Sequence, residues 1–197
     1  MEIFVGITGA SGSPYARRLV EALVHGGHTV GVSFSGSGAQ VAGQELYGDL
    51  RMARDEAVAR FIADTGLDAS NVWDPADYSS PYASGSARWD AAVICPCSMD
   101  TLAAIASGAG SSLLHRAAGV ALKEDRKLIL VPRETPLSLI QIRNIERVAE
   151  AGAHVLPAMP AFYHRPTTIE ELIDFVVGKI LNLLGMDQTV LPEWRDQ

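Results

Sequence analysis

The charged pair Arg133–Glu134 directly follows a run of apolar residues, Leu128 to Val131, that is typical of a fully buried strand. In an open parallel sheet, ligands bind at the carboxyl ends of the strands. The pair could therefore contact a ligand. A surface turn closed by Pro136 is the simpler alternative, because turns commonly hold such polar residues.

The segment Thr8–Pro14 follows the first predicted strand and opens the first predicted helix. Its amides and hydroxyls could hold a phosphate at the positive end of that helix. A nicotinamide dehydrogenase is the alternative for such a loop. The chain lacks the third glycine of G-x-G-x-x-G, has Ser35 instead of an acid after the second strand, and contains no Tyr-x-x-x-Lys, so this alternative is disfavoured.

Further polar residues follow the strand that ends near Cys97. Ser98, Asp100 and Thr101 are either helix caps or ligand contacts. Arg116 and Lys123 then stand seven residues apart, two turns along one helix face. Together with Arg133 they could form a pocket for an anion, although a solvated helix face is the simpler explanation for two basic residues.

The elements that must position these residues alternate between strand and helix, which predicts an α/β protein with a parallel sheet. Ser13 is the expected N-cap of the first helix, and the stretch from Asn71 to Trp89 is expected to be a long loop. The predicted strands are Ile3–Ile7, Thr29–Phe34, Ala91–Ile94, Leu128–Val131 and His154–Leu156. The predicted helices are Pro14–His25, Gly38–Leu46, Arg54–Thr65, Thr101–Ser107, Ser112–Lys123, Ser138–Ala151 and Ile169–Leu184.

Length and composition limit the number of domains and the kinds of partner that the chain can have. A chain of 197 residues with 48% hydrophobic content is long enough for one substantial core and short for two, so we expect a single domain over residues 1–197. A net charge of −7 argues against a nucleic acid partner. No apolar run approaches the ~18 residues that span a bilayer, and the start lacks a positive leader region, so we expect a cytoplasmic protein without membrane contact.

Metal and redox chemistry are not expected. Cys95 and Cys97 lack neighbouring ligands for zinc and are interpreted as small buried hydrophobes. The five histidines show no metal-binding spacing.

Six motifs, taken together and in order, closely resemble the flavin prenyltransferases of the UbiX/Pad type, and the resemblance runs from Ile3 to Trp194. It implies a Rossmann-like flavoprotein fold, a three-layer sandwich with a mostly parallel sheet. The motifs are Thr8–Gly12, Ala83–Ser86, Ile94–Met99, Ala121–Glu124, Leu130–Ser138 and Pro160–His164.

The resemblance implies an enzyme that binds reduced FMN and joins a dimethylallyl group, from dimethylallyl monophosphate, to flavin N5 and C6. The product would serve a partner UbiD-type decarboxylase. No Asp-Asp-x-x-Asp cluster for Mg²⁺ is present, which agrees with metal-free chemistry. The family forms dodecamers with the flavin between subunits, and a tail from about residue 186, including Trp194, is expected to pack on a neighbouring subunit.

Site residues follow from the resemblance by matching position. Ser11, Glu45, Lys123 and Glu134 are the expected catalytic residues, and Glu45, Glu134 or the released phosphate would accept the C6 proton. The expected FMN contacts are Gly9, Ala10, Ser11, Ser35, Ser98, Met99, Asp100, Thr101 and Arg133. The expected prenyl-phosphate contacts are Arg116, Lys123, Glu134, Tyr163 and Lys179.

Two departures from the family pattern bear on substrate preference. Lys179 stands where many relatives carry arginine, which keeps the charge and gives up bidentate phosphate geometry. Tyr78 stands where some relatives carry tryptophan in the loop that lines the prenyl pocket.

Two alternative functions stay open at this point. An FMN-dependent decarboxylase of the peptidyl-cysteine type shares the wider fold, but it uses a histidine after the second strand, and no histidine lies between His28 and His115. A non-catalytic flavin-binding subunit of a decarboxylase is the other. A scaffold would have no use for a charged phosphate pocket, which is suggested by Lys123, Arg133, Glu134 and Tyr163.

Overall fold

The computed structural model describes residues 1–187. Within them a six-stranded sheet has the order β3-β2-β1-β4-β5-β6, and every neighbouring pair is parallel. The predicted α/β class is confirmed. The strands are β1 Glu2–Ile7, β2 Thr29–Phe34, β3 Val72–Trp73, β4 Ala91–Cys97, β5 Lys127–Pro132 and β6 His154–Val155.

Helices cover both faces of this sheet, and its central strands are therefore buried on both sides. Two short 3-10 turns, Ala69–Asn71 and Pro81–Ala83, flank β3 along the chain. The α-helices are α1 Ser13–His25, α2 Gly36–Tyr47, α3 Arg54–Thr65, α4 Met99–Ser107, α5 Leu113–Lys123, α6 Leu139–Glu150 and α7 Ile169–Leu184.

The side chains of β1 divide the core into two halves. Val5 belongs to the cluster that contains residues of α1 and α7, whereas Phe4 belongs to the cluster on the opposite face, which contains residues of α4 and α5. This alternation follows from the two-residue period of a strand. The result is the three-layer sandwich that the resemblance implied.

The long predicted loop Asn71–Trp89 contains structure that the sequence did not indicate. β3 is only two residues long and pairs with Val32 and Ser33 of β2. Two residues are too few to show an alternating pattern, and the strand exists because the exposed edge of β2 offers it hydrogen-bonding partners.

Ser13 is not the N-cap of α1, so that prediction was wrong. Gly12 occupies the cap position with a φ of 130°, a conformation that favours glycine, and no cap side chain bonds the helix end. The carboxylate of Glu45 does so instead, because its Oε2 accepts hydrogen bonds from the amides of Gly12, at 2.9 Å, and Ser13, at 2.8 Å.

Both cysteines are buried in the core and unpaired, and burial raises the pKa of each thiol. They are packing residues, as interpreted. No helix within residues 1–187 is both long and apolar enough to cross a bilayer. Over the same residues, no group of three or more histidine, cysteine or acidic side chains is arranged to hold a metal ion.

Candidate active site

A cleft of about 260 Å³ opens where the chain leaves β1, β4 and β5. These strands are neighbours, and the strand order reverses between β1 and β4, which is where open parallel sheets bind ligands. Eight of the predicted site residues line the cleft, together with Gln141. They are Gly9, Ala10, Ser11, Ser98, Met99, Asp100, Arg133 and Glu134.

Thr8 joins the β1 side of the cleft to the β4 side. Its hydroxyl donates a hydrogen bond to the carbonyl of Pro96, at 2.7 Å, and accepts one from the amide of Ser98, also at 2.7 Å. The side chain is buried. Both hydrogen-bonding capacities of the hydroxyl are used within the protein, so Thr8 fixes the two loops relative to each other.

Gly9 allows the β1 loop to approach helix α2. A Cβ at this position would collide with the side chain of Ser37. Close approach of two backbone segments is a common reason for glycine. Ser35 lies nearby in sequence as the N-cap of α2, where its Oγ accepts from the amide of Gly38 at 2.9 Å. Ser35 is therefore a cap in this structure, and it is not among the residues that line the cleft.

Glu45 closes the amino end of α1 next to Ser11. Partial burial works against its ionisation, but hydrogen bonds from Ser11, Gly12 and Ser13 outweigh burial and hold the pKa of Glu45 below its usual value. The amides of Gly12 and Ser13 are thus already occupied by a carboxylate. The expectation that this helix end holds a phosphate is corrected accordingly.

Helix α4 presents its amino end to the cleft instead. Ser98 is its N-cap, with Oγ accepting from the amide of Thr101 at 3.3 Å and donating to the Thr101 hydroxyl at 3.0 Å. Met99 and Asp100 line the cleft beside the cap, whereas Thr101 does not. The first-turn amides of a helix carry partial positive charge, which suits an anionic ligand.

Arg133 reaches across the cleft from the end of β5. Its Nε donates a hydrogen bond to the carbonyl of Ser11 at 3.3 Å, which links the β5 side to the β1 loop. Glu134 is exposed, and its Oε1 accepts from the amide of Thr135 at 3.0 Å. The charged pair after β5 is therefore a component of the cleft wall.

The cations on α5 lie elsewhere in the subunit. Arg116 lines a second pocket of about 190 Å³ with Tyr78, and its Nε donates to the carbonyl of Ala83 at 2.8 Å. Lys123 is half exposed and forms an ion pair with Glu124. Arg133 and Arg116 thus line different pockets of one subunit, contrary to the expected shared one.

Tyr163 and Lys179 form part of an aromatic cluster before and within α7. The Tyr163 ring lies 6.0 Å from that of Phe175, and the His164 ring stacks on Phe175 at 5.5 Å with an interplanar angle of 3°. Lys179 Nζ lies 5.6 Å from the centre of the same Phe175 ring. A single subunit therefore places the predicted phosphate contacts at several separate points.

Gln141 is the cleft residue that sequence reasoning missed. Ser138 and Gln141 form a capping box at the start of α6, which is readable in the sequence as S-x-x-Q. That signal predicts a helix start but gives no indication that the helix start faces a cleft.

The donors in the cleft match a flavin nucleotide. The Arg133 guanidinium and the first-turn amides of α4 can hold a phosphate. The Ser11 and Ser98 hydroxyls, whose protons go to Glu45 and Thr101, can accept a hydrogen bond from a ring N–H. The residues present fit FMN.

Known proteins resemble this chain along nearly its whole length. A model of the family Flavoprotein matches residues 1–181. The flavin prenyltransferase UbiX of Pseudomonas aeruginosa is 44% identical, over 99% of this chain and 94% of that protein.

Two solved structures are also similar to this chain. The crystal structure of AnUbiX (PadA1) in complex with FMN and dimethylallyl pyrophosphate has a TM-score of 0.86 at 36% identity, covering 98% of this chain and 96% of that one. A dodecameric FMN-dependent UbiX-like decarboxylase from Escherichia coli O157:H7 has a TM-score of 0.84 at 36% identity, covering 98% of both chains.

The sequence and structure matches cover nearly the whole chain and therefore include the loops that line the cleft. The chain belongs to the flavoprotein family and, within it, to the flavin prenyltransferases of the UbiX type.

Proposed function

We propose that this protein joins a dimethylallyl group, from dimethylallyl monophosphate, to N5 and C6 of reduced FMN. The observation that carries the proposal is the cleft itself, in which the loops after β1, β4 and β5 bring together Gly9–Ser11, Ser98–Asp100 and Arg133–Glu134. The relatives named above, flavin prenyltransferases among them, support the same reaction class.

FMN would lie in this cleft with its phosphate near the amino end of α4. Ser98 and Asp100 stand at that helix end, and the Arg133 guanidinium supplies a full positive charge. Ser35 and Thr101 complete the proposed contacts. Unlike Ser98 and Asp100, neither residue lines the cleft in this structure.

A second subunit would complete the site. The cleft volume of about 260 Å³ lies just below the roughly 300–1,000 Å³ of pockets that bury a small-molecule ligand. Large apolar residues are exposed at the start of α6, beside the cleft, with Leu139 61% and Ile140 72% exposed. Such a patch is typical of a protein interface. A dodecamer, as in the E. coli relative, is the proposed assembly.

This assembly would bring the scattered phosphate contacts together. Arg116 and Lys123 would approach the leaving phosphate from a different subunit than Glu134, because Arg116 and Glu134 line separate pockets within one subunit. Tyr163 and Lys179 would complete the set. The tail from about residue 186 is proposed to belong to the same single domain and to pack on a neighbouring subunit. Most of this tail, including Trp194, lies outside the described residues.

The residues supply charge neutralisation and proton transfer. Reduced FMN, when bound, supplies the electron-rich ring positions that receive the dimethylallyl group. Arginine and lysine side chains would neutralise the departing phosphate, which lowers the barrier to its departure. Glu45 is a poor proton acceptor, because its pKa is held low. Glu134 or the released phosphate is therefore the proposed acceptor of the C6 proton.

The product would pass to a UbiD-type decarboxylase. The cytoplasm is the proposed compartment, since two unpaired thiols are typical of a reducing environment. The alternatives, a peptidyl-cysteine type decarboxylase and a non-catalytic flavin-binding subunit, are not favoured by the relatives, which include flavin prenyltransferases at 44% identity.

Incubation of purified protein with reduced FMN and dimethylallyl monophosphate, followed by mass measurement of the flavin, tests the proposal. A gain of one five-carbon unit supports it, and an unchanged flavin mass contradicts it. A parallel incubation with dimethylallyl pyrophosphate measures the preference between the two donors.

A further inference from the structure

Gln141 holds a fixed orientation at the rim of the cleft. Its side-chain Oε1 accepts a hydrogen bond from the amide of Ser138 at 2.8 Å, while its own amide donates to Ser138 Oγ at 3.3 Å. This reciprocal arrangement is a capping box, which fixes the first turn of α6.

The capping box also determines which end of the Gln141 amide faces away from the helix. Only the oxygen of an amide group can accept from a backbone N–H, so the oxygen must point towards Ser138. The nitrogen, with two N–H donors, is left on the other side. Within residues 1–187 that nitrogen makes no hydrogen bond, although Gln141 is half-buried and lines the cleft.

We propose that Gln141 is a specificity-determining contact for the flavin, donating a hydrogen bond from its side-chain nitrogen to an acceptor atom of the isoalloxazine ring. The inference rests on the proposed binding of FMN in this cleft. Phosphate is matched by the Arg133 guanidinium and the amino end of α4, which are charged or partly charged donors. A neutral amide donor suits a ring carbonyl or ring nitrogen.

Substitution by glutamate separates the donor from the cap. Glutamate and glutamine both serve in a capping box, so Gln141→Glu keeps an oxygen for the Ser138 amide. It removes both N–H donors and places a carboxylate against an acceptor atom. Gln141→Leu removes donor and cap together. Ser138→Ala is the matched control, since it removes the Ser138 side of the box and leaves the glutamine in place.

Flavin affinity, measured by quenching of flavin fluorescence, is the first readout. We expect Gln141→Glu to weaken binding of both FMN and riboflavin about tenfold, and Gln141→Leu to weaken both about threefold, which is the range of one lost hydrogen bond. Ser138→Ala should lower the melting temperature and leave the affinity within about twofold of wild type.

The reduction potential of bound FMN is the second readout. Reduction adds electron density to the ring, so a carboxylate in place of the amide should weaken binding of the reduced flavin more than that of the oxidised flavin. A tenfold difference corresponds to a potential about 30 mV lower for a two-electron couple. Loss of a helix cap alone would not shift this potential.

Three results would overturn the inference while leaving the proposed function standing. The first is wild-type affinity and potential in Gln141→Glu. The second is a loss of affinity for FMN but not for riboflavin, which would assign Gln141 to the phosphate. The third is an equal loss in Ser138→Ala, which would assign the effect to helix stability. A wild-type protein that binds no flavin would instead overturn the proposed function, and this inference with it.

Discussion

Arg126 stacks on Trp89, with its guanidinium carbon 4.3 Å from the ring centre. The same guanidinium donates from Nη2 to the carbonyls of Gly85, at 2.8 Å, and Ala87, at 2.7 Å. Gly85 lies against Lys123, since a Cβ at this glycine would come within 2.5 Å of Lys123 Nζ. Arg126 therefore holds the loop that borders a proposed phosphate contact.

Replacement of this arginine should affect both stability and turnover. We expect Arg126→Ala to lower the free energy of unfolding by about 1–3 kcal/mol, because it removes two charged hydrogen bonds and a stacked cation. The Michaelis constant for dimethylallyl monophosphate should rise as the Gly85 loop loosens around Lys123. Urea unfolding and steady-state kinetics measure the two effects.

Arg51→Ala is the control for this experiment, because the exposed Arg51 side chain makes no hydrogen bond or ion pair within residues 1–187. Equal effects of the two substitutions would show that the loop does not depend on Arg126.

Glu45 should give the protein an acid-sensitive increment of stability. The pKa of Glu45 in the folded protein lies below its unfolded value of roughly 4.3. The stabilisation is therefore fully present above the unfolded pKa and is lost as the pH falls through the folded pKa. Glu45→Gln should lower the unfolding free energy by about 0.5–1.5 kcal/mol at pH 7, a range that allows for screening of a half-exposed group. The deficit relative to wild type should shrink below about pH 4.

Chemical unfolding from pH 3 to pH 8 measures this dependence, with the exposed Glu150→Gln as control. A deficit that is independent of pH would contradict an ionised Glu45 at the end of α1.

Lys123 and Glu134 should be needed for turnover and dispensable for holding FMN. We expect Lys123→Ala and Glu134→Gln to lower kcat/KM by about a hundredfold or more, through loss of charge neutralisation and proton transfer respectively. FMN affinity should change less than about threefold. Glu124→Gln removes the ion-pair partner of Lys123 and keeps the lysine, so it should retain turnover. Wild-type rates in either variant would remove that residue from the proposed mechanism.

Ser11 should matter more for catalysis than for folding. It lies in the loop after β1, outside the hydrophobic core, and lines the cleft next to Glu45. We expect Ser11→Ala to slow prenyl transfer at least tenfold while unfolding free energy changes by less than about 1 kcal/mol. Single-turnover kinetics and thermal melting compare the two. A large drop in melting temperature with normal turnover would show that Ser11 serves folding and not catalysis.

The exposed start of α6 should be an assembly surface. Ile140 is 72% exposed beside the cleft, and a carboxylate buried in an apolar interface is strongly unfavourable. We expect Ile140→Asp to reduce the assembly to smaller species and to weaken FMN binding at least tenfold, whereas Ile140→Val should preserve both. Light scattering with size-exclusion chromatography measures the assembly. An intact assembly in Ile140→Asp would place the interface elsewhere.

Local sequence signals were sufficient where a strand and its following loop act together. The apolar runs of β1, β4 and β5 were readable, and eight of the residues just after them line one cleft, because parallel strands end at one edge of the sheet. Contacts between distant segments were not readable. Glu45 closes a helix end 32 residues earlier in the chain, and β3 forms only because it can add to β2.

The positions of the proposed phosphate contacts also could not be predicted from sequence patterns. Arg116 and Lys123 share a helix, yet Arg116 bonds the Ala83 carbonyl and Lys123 pairs with Glu124. Helical spacing gives the direction of a side chain and does not give the partner that it meets.

The hydroxyl of Thr8 has a practical implication for anyone who rebuilds this enzyme. The Thr8 side chain bonds to both loops. A foreign segment in place of residues 96–101 would therefore leave the Thr8 hydroxyl without hydrogen-bond partners, unless it places a carbonyl and an amide at the same points. Libraries that vary substrate preference should therefore keep residue 8 and the backbone of residues 96 and 98 constant, and diversify the opposite rim.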